Sequence, residues 1–386
     1  MLSRRVIGPW LAGVVLMALS AALAAGRVFP LRAQTPGQIA HLGPEGTVWL
    51  TAADSGETEQ LTQLGGFSGL EWAPDGKRLL LVAGSPMAGV PGELYVLDVE
   101  SAEAAKVADG YAPAWSSDGQ RILYVGNFTV AEEGSEQSLV LHDLESGTDR
   151  VLLSQRWISG LWPIQRVEYS AGEEFIAVYV AGLELEGQIV IVDGEGNPVW
   201  EIPDFVYSAE GFDWSVQGRE LVYRDSGEPF MGGEEPSLRI VRADTQETEL
   251  VLDEAGFWPR WSPDGERIAA LLWVEGGGFQ VMVVDVEAGE VALLSERVFG
   301  DLWHSEVRWS PDGSSLLFTS VEEGRGEVHR MDLDGGLVSI AEGDKPVVRW
   351  SPDGGQIAMA VGEGESGEIY VMKADGSESR KVADGW

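Results

Sequence analysis

The chain contains no cysteine. That removes disulfide staples, thiol catalysis, Fe–S clusters and Cys-ligated zinc together. Histidine is nearly absent too. His41, His142, His304 and His329 fall in different parts of the chain, and none has a second His at metal spacing. Basic residues are few: 26 Lys and Arg stand against 63 Asp and Glu, for a formal net charge of −37. Nucleic-acid binding needs a basic footprint, so the charge argues against it, and it disfavours anionic lipid surfaces. What remains is a solvated, self-repelling surface, or one that attracts cations and basic partners. Helical periodicity is missing as well, because the apolar runs are short and rich in β-branched and aromatic residues.

One long apolar run exists. Arg4 and Arg5 precede the uncharged stretch Val6–Ala25, and Ala22-Leu23-Ala24 fits a small-x-small cleavage site. Residues 1–25 are therefore expected to be either a cleaved export signal or, at about 20 residues of run, an N-terminal membrane anchor. Either places the rest of the protein outside the cytoplasm, extracellular or periplasmic. Residues 26–37 form a lead-in, and 38–386 are expected to be one domain.

What is abundant is repetition. Arg-Trp-Ser-Pro-Asp-Gly occurs at Arg260–Gly265, Arg308–Gly313 and Arg349–Gly354. Looser copies centre on Trp72, Trp115, Tyr169 and Trp214. The seven anchor aromatics recur at steps of 43, 54, 45, 47, 48 and 41 residues. A unit of this length cannot bury its own apolar face and must stack on its neighbours. The copy at Trp261 displays its grammar. One short strand ends at Trp261. Ser-Pro-Asp-Gly makes a turn, with Pro presetting φ and Gly taking the left-handed position. Strands are then expected at Ile268–Val274, Val281–Asp285 and Val291–Leu294. Four antiparallel strands per unit, repeated around a ring, make an all-β propeller.

The blade count has two readings. Seven first-strand motifs give seven blades. Eight hairpin turns between third and fourth strands, carrying Asp54, Asp98, Asp143, Asp193, Asp244, Asp285, Asp332 and Asp375, give eight. Eight is preferred, with Gln38–Leu42 a second strand and Arg32–Gly37 a decayed first-strand motif that has lost its Trp. Seven blades with an N-terminal hairpin latched on the ring is the alternative.

The motif resembles the WD-like repeats of the TolB propeller family, over about residues 36–386. Glu368-Ile369-Tyr370-Val371-Met372-Lys373-Ala374-Asp375-Gly376 matches the third-strand signature closely. The resemblance implies the fold and says little about activity. Nothing here corresponds to the N-terminal α/β domain of TolB. Similar repeats occur in propellers attached to prolyl-oligopeptidase-type hydrolases, but no Gly-x-Ser-x-Gly elbow occurs in this chain.

Two residue patterns could carry recognition. Loops from each fourth strand to the next first strand hold aromatics, among them Phe67, Tyr111, Trp162, Trp258 and Trp303, with His304 beside the last. These read either as an aromatic rim around the channel mouth or as wedges between blades. The residue before each anchor is in turn Glu71, Ala114, Glu168, Asp213, Arg260, Arg308 and Arg349, an acidic arc followed by a basic one. Arg260, Arg308 and Arg349 could anchor a carboxylate-bearing ligand or staple the blades by ion pairs. Loops joining second to third strands vary most in length, at Gly84–Gly92, Gly126–Gln137 and Asp225–Pro236. Asp-Gly turns such as Asp332–Gly335 lack the spacing of a calcium loop, and no residue demands a metal or cofactor. The reading is an exported, monomeric module that binds a protein, peptide or glycan, and no catalytic motif is visible. The alternative is a glycan-active hydrolase or lyase with its site at the channel mouth.

Overall fold

The computed structural model describes residues 37–385 apart from 85–91, 132–133, 158–163, 182–185, 205, 208–210, 226–235, 254–255, 275–276, 301–305, 323–324 and 363–366. Apart from a single turn of 3-10 helix at Pro44–Gly46, the regular structure among the described residues is entirely antiparallel strand. No helix among the described residues is long and apolar enough to cross a membrane.

The strands form seven hydrogen-bonded sheets, one of them seven-stranded. That large sheet is two blades joined through one long strand, Glu103–Trp115. Its first half pairs with Gly92–Asp98, and its second half pairs with Arg121–Ala131. A register shift between Tyr111 and Ala114 and a φ of 51° at Ala112 mark the kink where one blade becomes the next. Eight units result, at residues 38–60, 67–110, 111–157, 164–201, 212–252, 256–293, 307–343 and 347–384, here called blades 1 to 8. Among the described residues these are seven four-stranded blades and one three-stranded N-terminal unit, an arrangement that both the eight-blade reading and the alternative of seven blades with an N-terminal hairpin anticipate. Blade 1 contributes three strands among the described residues; each other blade contributes four, with a further short strand, Val206–Tyr207, added to blade 4.

In blade 6 the strands run Gly256–Trp261, Arg267–Trp273, Phe279–Asp285 and Glu290–Leu293, close to the sequence expectation. The turn after Trp261 is wired by its own side chains. Gly265 N–H donates to Ser262 O (2.9 Å), Glu266 N–H to Asp264 Oδ1 (3.0 Å) and Arg267 N–H to Ser262 Oγ (3.0 Å), with Gly265 at φ 74°. Pro starts this turn, Ser and Asp close it, and only Gly fits the left-handed corner without strain.

The core lies between blades. One apolar cluster joins blades 8 and 1 through Ile39, Ala53, Ile369, Val371, Val382 and Ala383, so the ring closes. Equivalent clusters fill the other seven interfaces. The anchors Trp72, Trp115, Trp214, Trp261 and Trp309 are buried, and Tyr169 and Trp350 are half-buried, each packed into one of these interfaces. The repeat motif is therefore the wedge that holds blade to blade.

Candidate functional site

First strands of successive blades approach one another around the centre, and fourth strands such as Glu290–Leu293 lie exposed at the rim. Side chains alternate along a strand, so the residue before each anchor points away from the inter-blade wedge. The expected arginine series sits here, and the structure gives each member a partner. Arg349 is 6% exposed and reaches Glu306 of blade 7, its Nη1 2.7 Å from Oε1. Arg308 meets the other oxygen of Glu306 at 2.8 Å. Arg260 Nη1 donates to its own Pro259 O (2.9 Å) and to Phe212 O of blade 5 (3.5 Å), and its charge lies close enough to Asp213 to pull that carboxyl down. Arg166 pairs with Glu168 and donates to Phe212 O (3.4 Å).

The split into an acidic and a basic arc is thus not what forms. Arg166 stands in the acidic arc and Glu306 in the basic one, each two residues before a charge of opposite sign on the same strand face. Reading only the residue before each anchor missed both. The period-2 alternation of a strand was the signal that would have found them. Burial opposes the Glu306 charge, but Arg308 and Arg349 outweigh it and hold its pKa at about 2. Burial lowers Arg349 to about 10, which leaves it charged at neutral pH. Burial pushes Asp213 above the usual carboxylate range, with Arg260 pulling the other way. Arg308 is partly accessible, with its side chain 31% exposed.

Of the two readings of the loop aromatics, the described ones follow the wedge. Phe67 and Tyr111 are buried, the Tyr111 hydroxyl donating 2.6 Å to Gln137. Phe299 is buried against Phe279 and Phe318. Trp258 is half-buried, tilted against Phe257 at a bulge where its φ is 51°. These rings are wedges because adjacent blades leave apolar gaps at that level that only large side chains fill. Trp162, Trp303 and His304 lie outside the described residues, as do most of Gly84–Gly92 and Asp225–Pro236; Gly126–Gln137, expected as a loop, is mostly strand, because Arg121–Ala131 and Gly134–Asp143 extend their hairpin. Sequence reading also missed a second set of staples below the channel. Arg78 and Arg267 each bond the Asp of their own turn and the Gly119 or Gly313 carbonyl of the next blade, and Arg121 reaches Glu173 at 2.6 Å. Among the described residues no group of three or more His, Asp or Glu is placed to hold a metal ion.

The family model described as PD40, the TolB beta propeller domain, matches residues 177–385. The chain belongs to the TolB β-propeller family. Blades 5 to 8 supply most of that match, and they carry the three full Arg-Trp-Ser-Pro-Asp-Gly copies. Among curated proteins, the family member is 23% identical over 331 residues to dipeptidyl-peptidase 5 of Porphyromonas gingivalis, covering 69% of this chain and 46% of that protein. The chain thus spans under half the length of the curated relatives it matches. Among solved structures, dipeptidyl peptidase 4 of the same organism superposes with a TM-score of 0.65 at 11% identity, over 93% of this chain and 60% of that one. Oligogalacturonate lyase of Vibrio parahaemolyticus gives 0.51 at 17% identity, over 77% of this chain and 92% of that one. At such identities these likenesses speak for the fold alone.

Proposed function

We propose that this TolB-family propeller is an exported binding module that recognises a carboxylate-bearing peptide or glycan at its channel, with Arg308 as the accessible anchor and Arg260 and Arg349 behind it. The observation that carries this reading is the concentration of four arginines on the inner strands of blades 4, 6, 7 and 8, in a chain with so few cations. A rigid ring holds such a constellation without a further ordering cost on binding. The basic start and apolar run at residues 4–25 support export. The test is calorimetric titration of the protein with acidic peptides and with uronate oligosaccharides at low salt. Binding of one class, weakened at least tenfold in Arg308→Ala with thermal stability unchanged, is the expected result. No binding of either class, or binding indifferent to Arg308→Ala, overturns it.

A second reading, a lyase or hydrolase acting on a glycan, is favoured by the likeness to oligogalacturonate lyase. Product formation from uronate oligomers by the same preparation would establish it in place of simple binding.

A further inference from the structure

The seam between blades 1 and 2 and the seam between blades 7 and 8 are built to one plan. In blade 2, Gly84 N–H donates to Gly66 O, Glu93 lies opposite Ala83, and Tyr95 sits between Leu81 and Lys106. In blade 8, Gly362 N–H donates to Asp344 O, Glu368 lies opposite Val361, and Tyr370 sits between Met359 and Lys381. The side chains repeat the same contacts. Tyr95 donates to Glu93 at 2.9 Å, and Lys106 meets Glu93 at 2.6 Å and Asp109 at 2.8 Å. Tyr370 donates to Glu368 at 2.8 Å, and Lys381 meets Glu368 and Asp384 at 2.6 Å each.

The two seams differ in what fills them. Between blades 1 and 2, Phe67 and Leu61 are buried, 4% and 5% exposed. The Phe67 ring stands edge-on to Tyr95, with centroids 5.6 Å apart. The matched carbonyls of Gly66 and Asp344 set the comparison: the residue that follows is Phe67 in one seam and the exposed Lys345 in the other. Val48 and Val328 hold the same place in their third strands, counted back from the hairpin bonds of Ala52 and Asp332. Leu61 lies against Val48, and the smaller Ala341 lies against Val328. Val361, larger than Ala83, takes back part of the space. What is left is a groove of about 590 Å³ between blades 7 and 8, with Ile340, Ala341, Met359, Val361 and Tyr370 among its walls. Its apolar wall lacks the ring that covers the equivalent surface in the other seam.

The rim changes along with the filling. Thr62 and Gly66 of the first seam give way to Glu342 and Asp344, both exposed and both lining the groove. The cations beside them are Lys345 and Lys381, the second already held by Glu368 and Asp384. This seam has therefore exchanged an aromatic ring and a leucine for open space and two carboxylates.

We propose that the groove between blades 7 and 8 is a docking site for a segment of a partner protein that presents an aromatic side chain beside Lys or Arg. The partner's ring takes the place that Phe67 holds in the other seam, edge-on to Tyr370. Its cations meet Glu342 and Asp344 at the rim, so an apolar anchor is seated in a pocket and charge around it guides approach. The site is distinct from the channel, where the arginines favour an anion.

Calorimetric titration of the full-length chain with the capped peptide Ala-Lys-Phe-Lys-Ala tests this. Saturable binding of one peptide per chain is expected, at least tenfold tighter than that of the same peptide with Ala in place of Phe. Ala341→Leu restores the leucine of the other seam and is expected to weaken binding at least tenfold with Tm unchanged or raised. Glu342→Gln with Asp344→Asn should weaken it severalfold at low salt. Equal binding of the two peptides reduces the effect to general attraction by an acidic surface and overturns the proposal. So does absence of binding, or binding indifferent to Ala341→Leu. If sedimentation velocity shows a dimer that Ala341→Leu disperses, a second copy of the chain covers the groove, and the peptide site is refuted.

Discussion

Glu306 holds two arginines from two blades, and its removal strands both. Glu306→Gln is expected to cost about 2–4 kcal/mol, because the deeply buried Arg349 loses its counter-charge. Arg308→Ala should cost under about 1 kcal/mol, since that side chain is partly solvated. Urea unfolding of the two variants checks the contrast. The pH response has a definite sign. The folded pKa of Glu306, about 2, lies below its unfolded value of 4.5, so its contribution is complete above about pH 4.5 and fades as pH falls toward 2. Burial lowers His41 and His329 from 6.5 to about 4, with Arg297 adding to the effect at His329. They stay neutral when folded and take up protons when unfolded, so stability should fall between pH 6.5 and 4. His41→Gln, which keeps a partner for the Thr51 hydroxyl now 2.9 Å away, should lessen the fall in Tm from pH 7 to pH 4.5. Arg260, Arg308 and Arg349 were legible in the sequence because each precedes a conspicuous tryptophan, whereas Arg166, three residues before Tyr169, was not. Their partners were not, because Glu306 and Arg349 are 43 residues apart and meet only when blades 7 and 8 stack.

Each blade is built from short-range chemistry, which is why its boundaries were foreseeable. Ser262, Asp264 and Gly265 close their turn almost without outside help. Gly265→Ala should cost about 1–2 kcal/mol, from the positive φ and from crowding against the Gln217 side chain of the preceding blade. Trp261→Ala should cost about 3–5 kcal/mol, as for a core aromatic, since the ring fills the gap between blades 5 and 6. Thermal unfolding of the pair checks both, and a cost below about 0.5 kcal/mol for Trp261→Ala would contradict its role as a wedge. The loop aromatics were harder to place from sequence. Phe67, Tyr111 and Phe299 look the same as rim residues or as core, and the choice between the two depends on where the adjoining blade lies.

Across the whole molecule, a net charge of −37 is spread over a ring that closes on itself by side-chain packing. Self-repulsion opposes that closure and salt screens it. Raising NaCl from about 0.05 to 0.5 M should therefore raise Tm, measured by differential scanning calorimetry, even though the same salt weakens the exposed ion pairs. What the sequence alone determined is the repeated unit: its four strands, its turn, its anchor and the closure of such units into a propeller. Those follow from local turn chemistry and period-2 burial, which any one repeat displays. The tertiary structure decided which charges neutralise one another and which aromatics are covered. Each of these depends on a neighbour some 45 residues away or at the other end of the chain, and only the closed ring brings those neighbours together.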